Sequence, residues 1–66
     1  MVYIIELYNP NIEIDITTAS YIYTNNKIKA YTIASNYARC HGGDIGINVY
    51  EALNEYTNKR KLIKQY

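Results

Sequence analysis

One stretch of this chain, between Thr24 and Gly43, has the residue spacing of a helix, and it limits the folds that the rest can form. Starting at Ala30, the residues at helical intervals share one side of that helix: Ile33, Ala34, Tyr37, Ala38 and His41. Thr24 is a suitable N-cap, and Gly42-Gly43 is a typical helix end because glycine adopts the left-handed conformation easily. These signals predict one helix over residues 25–41. A single helix covers only one face of a sheet, so the other face must meet solvent or a partner.

Most of the chain before this helix has strand-like sequence. Val2–Tyr8 is apolar on both alternating faces except at Glu6, which predicts a strand well covered by its neighbours. A turn at Asn9–Asn11 separates it from Ile12–Ile16, where isoleucine alternates with polar residues. These two segments predict a hairpin. After a break, Tyr21–Tyr23 is again β-prone.

The last third of the chain has two interpretations. Alternation of apolar with small or polar side chains favours a strand over residues 45–52, and a short final strand is expected over 61–64. In the alternative, Asn48 and Glu51 form a capping box and begin a helix that ends near Arg60. We favour the strand, because a chain that leaves a glycine cap commonly returns to the sheet.

Together these segments predict a single α+β domain over residues 1–66. The expected architecture is an antiparallel sheet of three to five strands in a ββαβ-like order, with the one main helix packed on one face. A core of this size contributes a net stability of only about 3–5 kcal/mol, and oligomerisation is a common remedy for so small a margin.

Composition and cysteine content argue against several classes of protein. Hydrophobic residues make up 48% of the chain and charged residues 20%, which is typical of a globular domain rather than a disordered one. Cys40 is the single cysteine, so no internal disulfide forms, and no Cys/His spacing predicts zinc. Glu6 interrupts the apolar run of Val2–Tyr8, so we expect neither a signal peptide nor a membrane span. A free thiol fits a cytoplasmic protein.

The residues with catalytic potential are better explained without catalysis. Cys40 and His41 are adjacent in the predicted helix, so their side chains diverge by about 100°. Gly42-Gly43 follows a helix, and the carbonyl end of a helix repels phosphate. The carboxylate pairs are typical of solvated faces: Glu13 with Asp15, and Glu51 with Glu55. The sequence therefore predicts neither an enzyme nor a cofactor.

Tyrosine is unusually frequent, with nine residues and no Phe or Trp. Tyr21, Tyr23 and Tyr50 occupy matching positions of the expected strands, so strand pairing would bring them together. Exposed tyrosines commonly anchor protein interfaces, which predicts a surface for a protein partner or a homodimer. The alternatives are a sheet face covered by the helix and a surplus of tyrosine that reflects AT-rich codons.

Charge is distributed unevenly along the chain. Residues 1–16 carry acidic groups and no basic ones, whereas four basic residues lie close to the end, namely Lys59, Arg60, Lys61 and Lys64. These four are candidate phosphate contacts, so nucleic-acid binding is the alternative function. A solvated, solubilising tail is the simpler explanation of these charges, and we favour it.

The predicted elements, the short length and the Ile/Asn/Lys/Tyr bias resemble the small accessory proteins of AT-rich bacteriophages and other mobile elements. The resemblance implies a protein that acts in the host cytoplasm without catalysis, by binding and inhibiting a host or defence protein. It assigns no functional residues. With the helical alternative for the last third, the chain also resembles ribbon-helix-helix DNA-binding proteins, although Tyr21–Tyr23 lacks the basic or amide side chains that read bases.

Overall fold

The computed structural model describes residues 1–12 and 19–66, which form one antiparallel sheet and one helix. The elements are β1 (Val2–Tyr8), β2 (Ala19–Thr24), α1 (Lys27–His41), β3 (Gly46–Ala52) and β4 (Arg60–Gln65). The predicted α+β class and the helix on one face of the sheet are confirmed. Of the predicted strand over Ile12–Ile16, only Ile12 belongs to the described residues. Helix α1 is not long and apolar enough to cross a membrane.

The strand order is β2-β1-β3-β4, so the first strand of the chain lies inside the sheet. β1 is antiparallel to β2 on one side and to β3 on the other, which makes β2 and β3 parallel to each other. Parallel strands need a crossover connection, and α1 provides it by running from β2 to β3 across β1. The helix packs against these three strands.

Helix α1 begins at a different cap from the one that the sequence predicts. Asn26, with extended backbone angles, is the N-cap, and its side chain accepts a hydrogen bond of 3.0 Å from the Lys29 N–H. Thr24 is instead the last residue of β2, and its hydroxyl accepts from the Asn26 N–H. The predicted helix end is confirmed, because Gly42 adopts the left-handed conformation and its N–H donates to the Ala38 carbonyl.

The core lies between α1 and the sheet. Ile5, Ile47 and Val49 point towards the helix from the two central strands and are fully or almost fully buried. Above them lie Ala30 and Ala34, whose small side chains let the helix approach the sheet closely. The core is therefore built from the alternate residues of β1 and β3 and from one side of the helix, as the residue spacing predicts.

Residues 46–52 are a strand, so the helical alternative for the last third is wrong. Ile47 and Val49 bury their side chains on the helix side, and Asn48 between them is buried on the other side rather than capping a helix. A two-residue period decides the element here. The described residues consequently lack the second helix that the ribbon-helix-helix resemblance requires.

The predicted final strand is confirmed as β4, which pairs with β3 through an irregularity at Val49 and Tyr50. Val49 lies opposite Lys64, whereas Tyr50 lies opposite Leu62. The intervening Ile63 packs against the core. This bulge lets one residue of an otherwise exposed strand reach the core.

Gly46, the first residue of β3, generates a testable prediction. It lies opposite Tyr8 on β1, and a Cβ atom at this position would collide with the Tyr8 ring. We expect Gly46→Ala to lower the free energy of unfolding by about 1–2 kcal/mol, because the ring must leave its place over the strand. Urea denaturation measures the change.

A double-mutant cycle provides the control for this interpretation. Combining Gly46→Ala with Tyr8→Ala removes the ring that collides. The double variant should therefore lose less unfolding free energy than the sum of the losses in the two single variants. Strict additivity would contradict the proposed collision and assign the cost to the backbone of Gly46 instead.

Candidate functional site

The sheet face opposite α1 carries the candidate site. Because side chains alternate along a strand, the neighbours of the helix-facing core residues point to this side. Two rows cross the sheet here in register, one through Ile4 and one through Glu6. We call this surface the tyrosine face; its residues are Ile4, Glu6, Tyr21, Tyr23, Asn48, Tyr50, Arg60 and Leu62.

The three tyrosines that the sequence singles out all lie on the tyrosine face. Tyr23 and Tyr50 lie opposite Ile4 from its two sides, and Tyr21 lies opposite Glu6. The alternative that the helix covers them is therefore wrong. Tyr23 is 47% exposed, while the other two are half-buried.

Ile4 shows that the side chains of this face cover one another. It is fully buried although α1 lies on the opposite side of the sheet. Tyr23 and Tyr50 flank it in register and contribute to its cover. Two aromatic side chains thus help to cover apolar surface on the outer face, as the helix does on the inner face.

A buried carboxylate occupies the centre of the face. Glu6 is only 6% exposed, and its Oε1 accepts hydrogen bonds from Asn48 Nδ2 at 2.9 Å and from the Tyr50 hydroxyl at 3.2 Å. A buried charge is tolerated only when hydrogen bonds replace the water that it loses. This network therefore joins β1 to β3 and fixes the Tyr50 side chain.

Asn48 is itself an unusual feature of this network. It is 5% exposed, and its Oδ1 is buried without a hydrogen-bond partner in the part of the chain that the structure describes. Such an acceptor costs about 1–3 kcal/mol. The sequence analysis missed both Asn48 and the role of Glu6, although a lone charge within the apolar run Val2–Tyr8 was the signal available for Glu6.

Arg60 reaches over two of the tyrosines from the edge of the sheet. Its guanidinium carbon lies 5.5 Å from the centre of the Tyr50 ring and 5.7 Å from that of the Tyr21 ring. Both distances are within the range of a cation–π interaction. Arg60 thereby links β4 to β3 and β2 across the face and holds the two rings in place.

The four basic residues predicted as phosphate contacts do not form one patch. Arg60 belongs to the tyrosine face, whereas Lys61 lies opposite Glu51 and so projects towards the helix side. The ammonium group of Lys64 lies 5.5 Å from the centre of the Tyr66 ring. Lys59 precedes β4 in the exposed turn. Neighbouring residues of a strand point in opposite directions, which separates charges that are contiguous in sequence.

Cys40 and His41 lie in the last turn of α1, away from the tyrosine face. The His41 ring stacks on Tyr37, one turn earlier, with ring centres 5.9 Å apart and planes 10° from parallel. Cys40 is exposed. Within residues 1–12 and 19–66, no group of three or more His, Cys, Asp or Glu side chains is placed to hold a metal ion.

Burial and the Glu6 charge change the ionisation of the two half-buried tyrosines. Burial raises the pKa of Tyr21 above its usual value, and the nearby Glu6 carboxylate adds to this effect. Burial likewise raises the pKa of Tyr50, followed by the charge of Glu6 and its hydrogen bond. Arg60 opposes the shift at both rings without reversing it.

Comparison of the chain with protein-family models, with curated proteins and with solved structures finds no match. The site is therefore interpreted from its own geometry.

The hydrogen bond from Tyr50 to Glu6 can be tested by removing one oxygen. We expect Tyr50→Phe to lower the free energy of unfolding by about 1–2 kcal/mol, because it leaves a buried carboxylate with one donor fewer. Denaturant titration measures the loss. Tyr37→Phe is the matched control, since the Tyr37 hydroxyl makes no hydrogen bond with the described residues, and it should change stability little. Equal losses in the two variants would contradict the role assigned to Glu6.

The raised pKa values of Tyr21 and Tyr50 predict a loss of stability in alkali. Because the folded state holds these phenolic protons more tightly than the unfolded state, their contribution is complete below the usual tyrosine pKa of about 10 and is lost as pH rises through the folded pKa. Unfolding free energies measured from pH 8 upwards should therefore fall above about pH 10. The fall should be shallower for Tyr50→Phe, and an identical slope in both proteins would contradict the prediction.

Proposed function

We propose that this protein is a non-catalytic binding module that contacts a protein partner through the tyrosine face. In this proposal it is a bacteriophage or mobile-element accessory protein that binds and modulates or inhibits a host or defence protein. The observation that carries the proposal is the composition of the face that the helix leaves open. Tyr21, Tyr23, Tyr50 and Arg60 lie there together, and tyrosine and arginine are the residue types enriched at the centres of interfaces.

The fixed arrangement of the face favours binding. Hydrogen bonding to Glu6 and stacking under Arg60 hold Tyr50 in one position before any partner arrives. A preorganised side chain loses less conformational entropy on association, so more of its contact energy appears as affinity. Tyr23 and Leu62, each 47% exposed, supply apolar surface on either side of Tyr50.

The position of Glu6 supports a binding role over a catalytic one. A general acid or base must come within hydrogen-bonding distance of the reacting group. Glu6 instead lies beneath the surface, where Asn48 and Tyr50 already use its Oε1. Its carboxylate is thus engaged in holding the face together.

Nucleic-acid binding through Lys59, Arg60, Lys61 and Lys64 is the alternative, and it has less support. Backbone recognition favours basic side chains clustered on one surface. Here Arg60 and Lys61 project to opposite sides of β4. This distribution weakens the case for a phosphate-binding patch.

The proposal predicts that binding depends on the two exposed apolar side chains of the face. A tagged protein should retain one stoichiometric partner from bacterial lysate after nuclease treatment, and Tyr23→Ala combined with Leu62→Ala should lose it. Truncation of interface anchors typically costs about 2 kcal/mol each. Ile28→Ala is the matched control, because Ile28 is also an exposed apolar residue, at 77%, but lies on α1.

Three outcomes would overturn this proposal. Retention of the partner by the double variant would place the interface elsewhere, and equal loss with Ile28→Ala would indicate nonspecific hydrophobic capture. Recovery that disappears with nuclease would favour the nucleic-acid alternative. Light scattering of the purified protein separately tests whether the tyrosine face forms a homodimer, in which case the same double variant should become monomeric.

A further inference from the structure

Strand β4 is an uncovered edge of the sheet. Among the described residues it pairs with β3 alone, and α1 packs against the other three strands but not against this one. All of its residues except Ile63 are exposed. One row of its backbone N–H and C=O groups is therefore available to an additional strand.

The charge of this edge selects against a second copy of the same strand. Within β4 the ionisable side chains are Arg60, Lys61 and Lys64, with Lys59 just before them and no acidic residue. Antiparallel pairing of two copies of β4 would bring the cationic side chains of both strands together along one seam, with no acidic side chain of either strand among them. Like charges in direct cross-strand pairs are destabilising.

We infer that β4 is a docking edge for an extended acidic segment of a partner protein, which joins the sheet as an added strand. Cross-strand pairing would place acidic side chains of the added strand opposite Lys61 and Lys64 on the helix side. On the tyrosine face, Leu62 would offer an exposed apolar contact to the side chains that alternate with the acidic ones. Backbone hydrogen bonds would supply affinity, and the charge pairs on one side with the apolar contact on the other would supply specificity.

The geometry of the strand favours an acidic peptide over a nucleic acid. The two sides of β4 differ in character, with Lys61 and Lys64 on the helix side and Leu62 on the tyrosine face, which matches the alternating acidic and apolar side chains of an added strand. A nucleic-acid backbone has no such alternation, and it favours basic side chains on one surface, whereas Arg60 projects to the side opposite Lys61. The inference shares Leu62 with the tyrosine face, but it depends on the backbone edge of β4 and on Lys61 and Lys64, which the proposed function does not use.

A fluorescent peptide of alternating Glu and Val, measured by anisotropy, is the direct probe. The full chain should bind it, but not a peptide of alternating Lys and Val. Two further peptides are N-methylated at alternate amides, one at the odd positions and one at the even positions. Only the peptide that loses the N–H donors facing β4 should fail to bind. This comparison uses the unaltered protein, so it does not depend on any variant that fails to fold.

Charge removal provides the second arm of the experiment. Lys61→Gln with Lys64→Gln should weaken binding of the Glu/Val peptide by about fivefold, the effect expected for two lost charge pairs. Lys27→Gln with Lys29→Gln is the matched control, because it removes the same charge from exposed positions on α1, and it should leave affinity unchanged. Tyr23→Ala should also leave peptide affinity unchanged, which separates this inference from the proposed function.

Several results would overturn the inference. Failure of the protein to bind the Glu/Val peptide, or equal weakening by the two double variants, would rule out specific docking at β4. Full affinity for both N-methylated peptides would rule out strand addition. Tighter binding of single-stranded oligothymidine, with affinity lost on the Lys61 and Lys64 changes, would assign the edge to nucleic acid instead.

Discussion

Within residues 1–12 and 19–66, one helix packs against a sheet that has two faces, and the rest of the described structure follows from this constraint. α1 covers the inner face through Ala30 and Ala34, whose small side chains allow close packing. On the outer face, opposite α1, Ile4 is fully buried among tyrosines that carry both apolar rings and polar hydroxyls. Tyrosine suits this position because its ring can cover an apolar neighbour while its hydroxyl meets water or a buried acceptor.

Glu6 gives the outer face a fixed arrangement. An apolar residue at this position would tolerate several packings of the surrounding rings, whereas a buried carboxylate requires donors at defined positions. Asn48 and Tyr50 provide them, and Arg60 holds the Tyr50 ring from the other side. The same contacts that make the charge tolerable also determine which atoms the face presents, so stability and recognition depend on one network.

Local pattern was sufficient to predict β1, α1 and the strand character of β3, because each buries a regularly spaced set of side chains on the inner face, and β4 follows the predicted turn although only Ile63 of it reaches the core. The network at Glu6 could not be predicted from local pattern, since it joins residues that are distant in sequence and depends on the pairing register. The N-cap was misplaced because both Thr24 and Asn26 are chemically suitable, and the length of β2 decides between them. Residues 59–64 read as one basic cluster in sequence, yet strand geometry divides their charges between two sides.

The central position of β1 has a consequence for how the chain folds. β1 finds one partner in β2, but its other edge stays open until residues 46–52 arrive from far along the chain. An isolated pair of strands is marginally stable in water, so the β1–β2 pair gains little before β3 joins. Pairing between distant segments slows folding, because the intervening loop must close first. A chain released before β3 is synthesised would hold Glu6 without its donors beside an open apolar edge, which makes such intermediates natural substrates for chaperones.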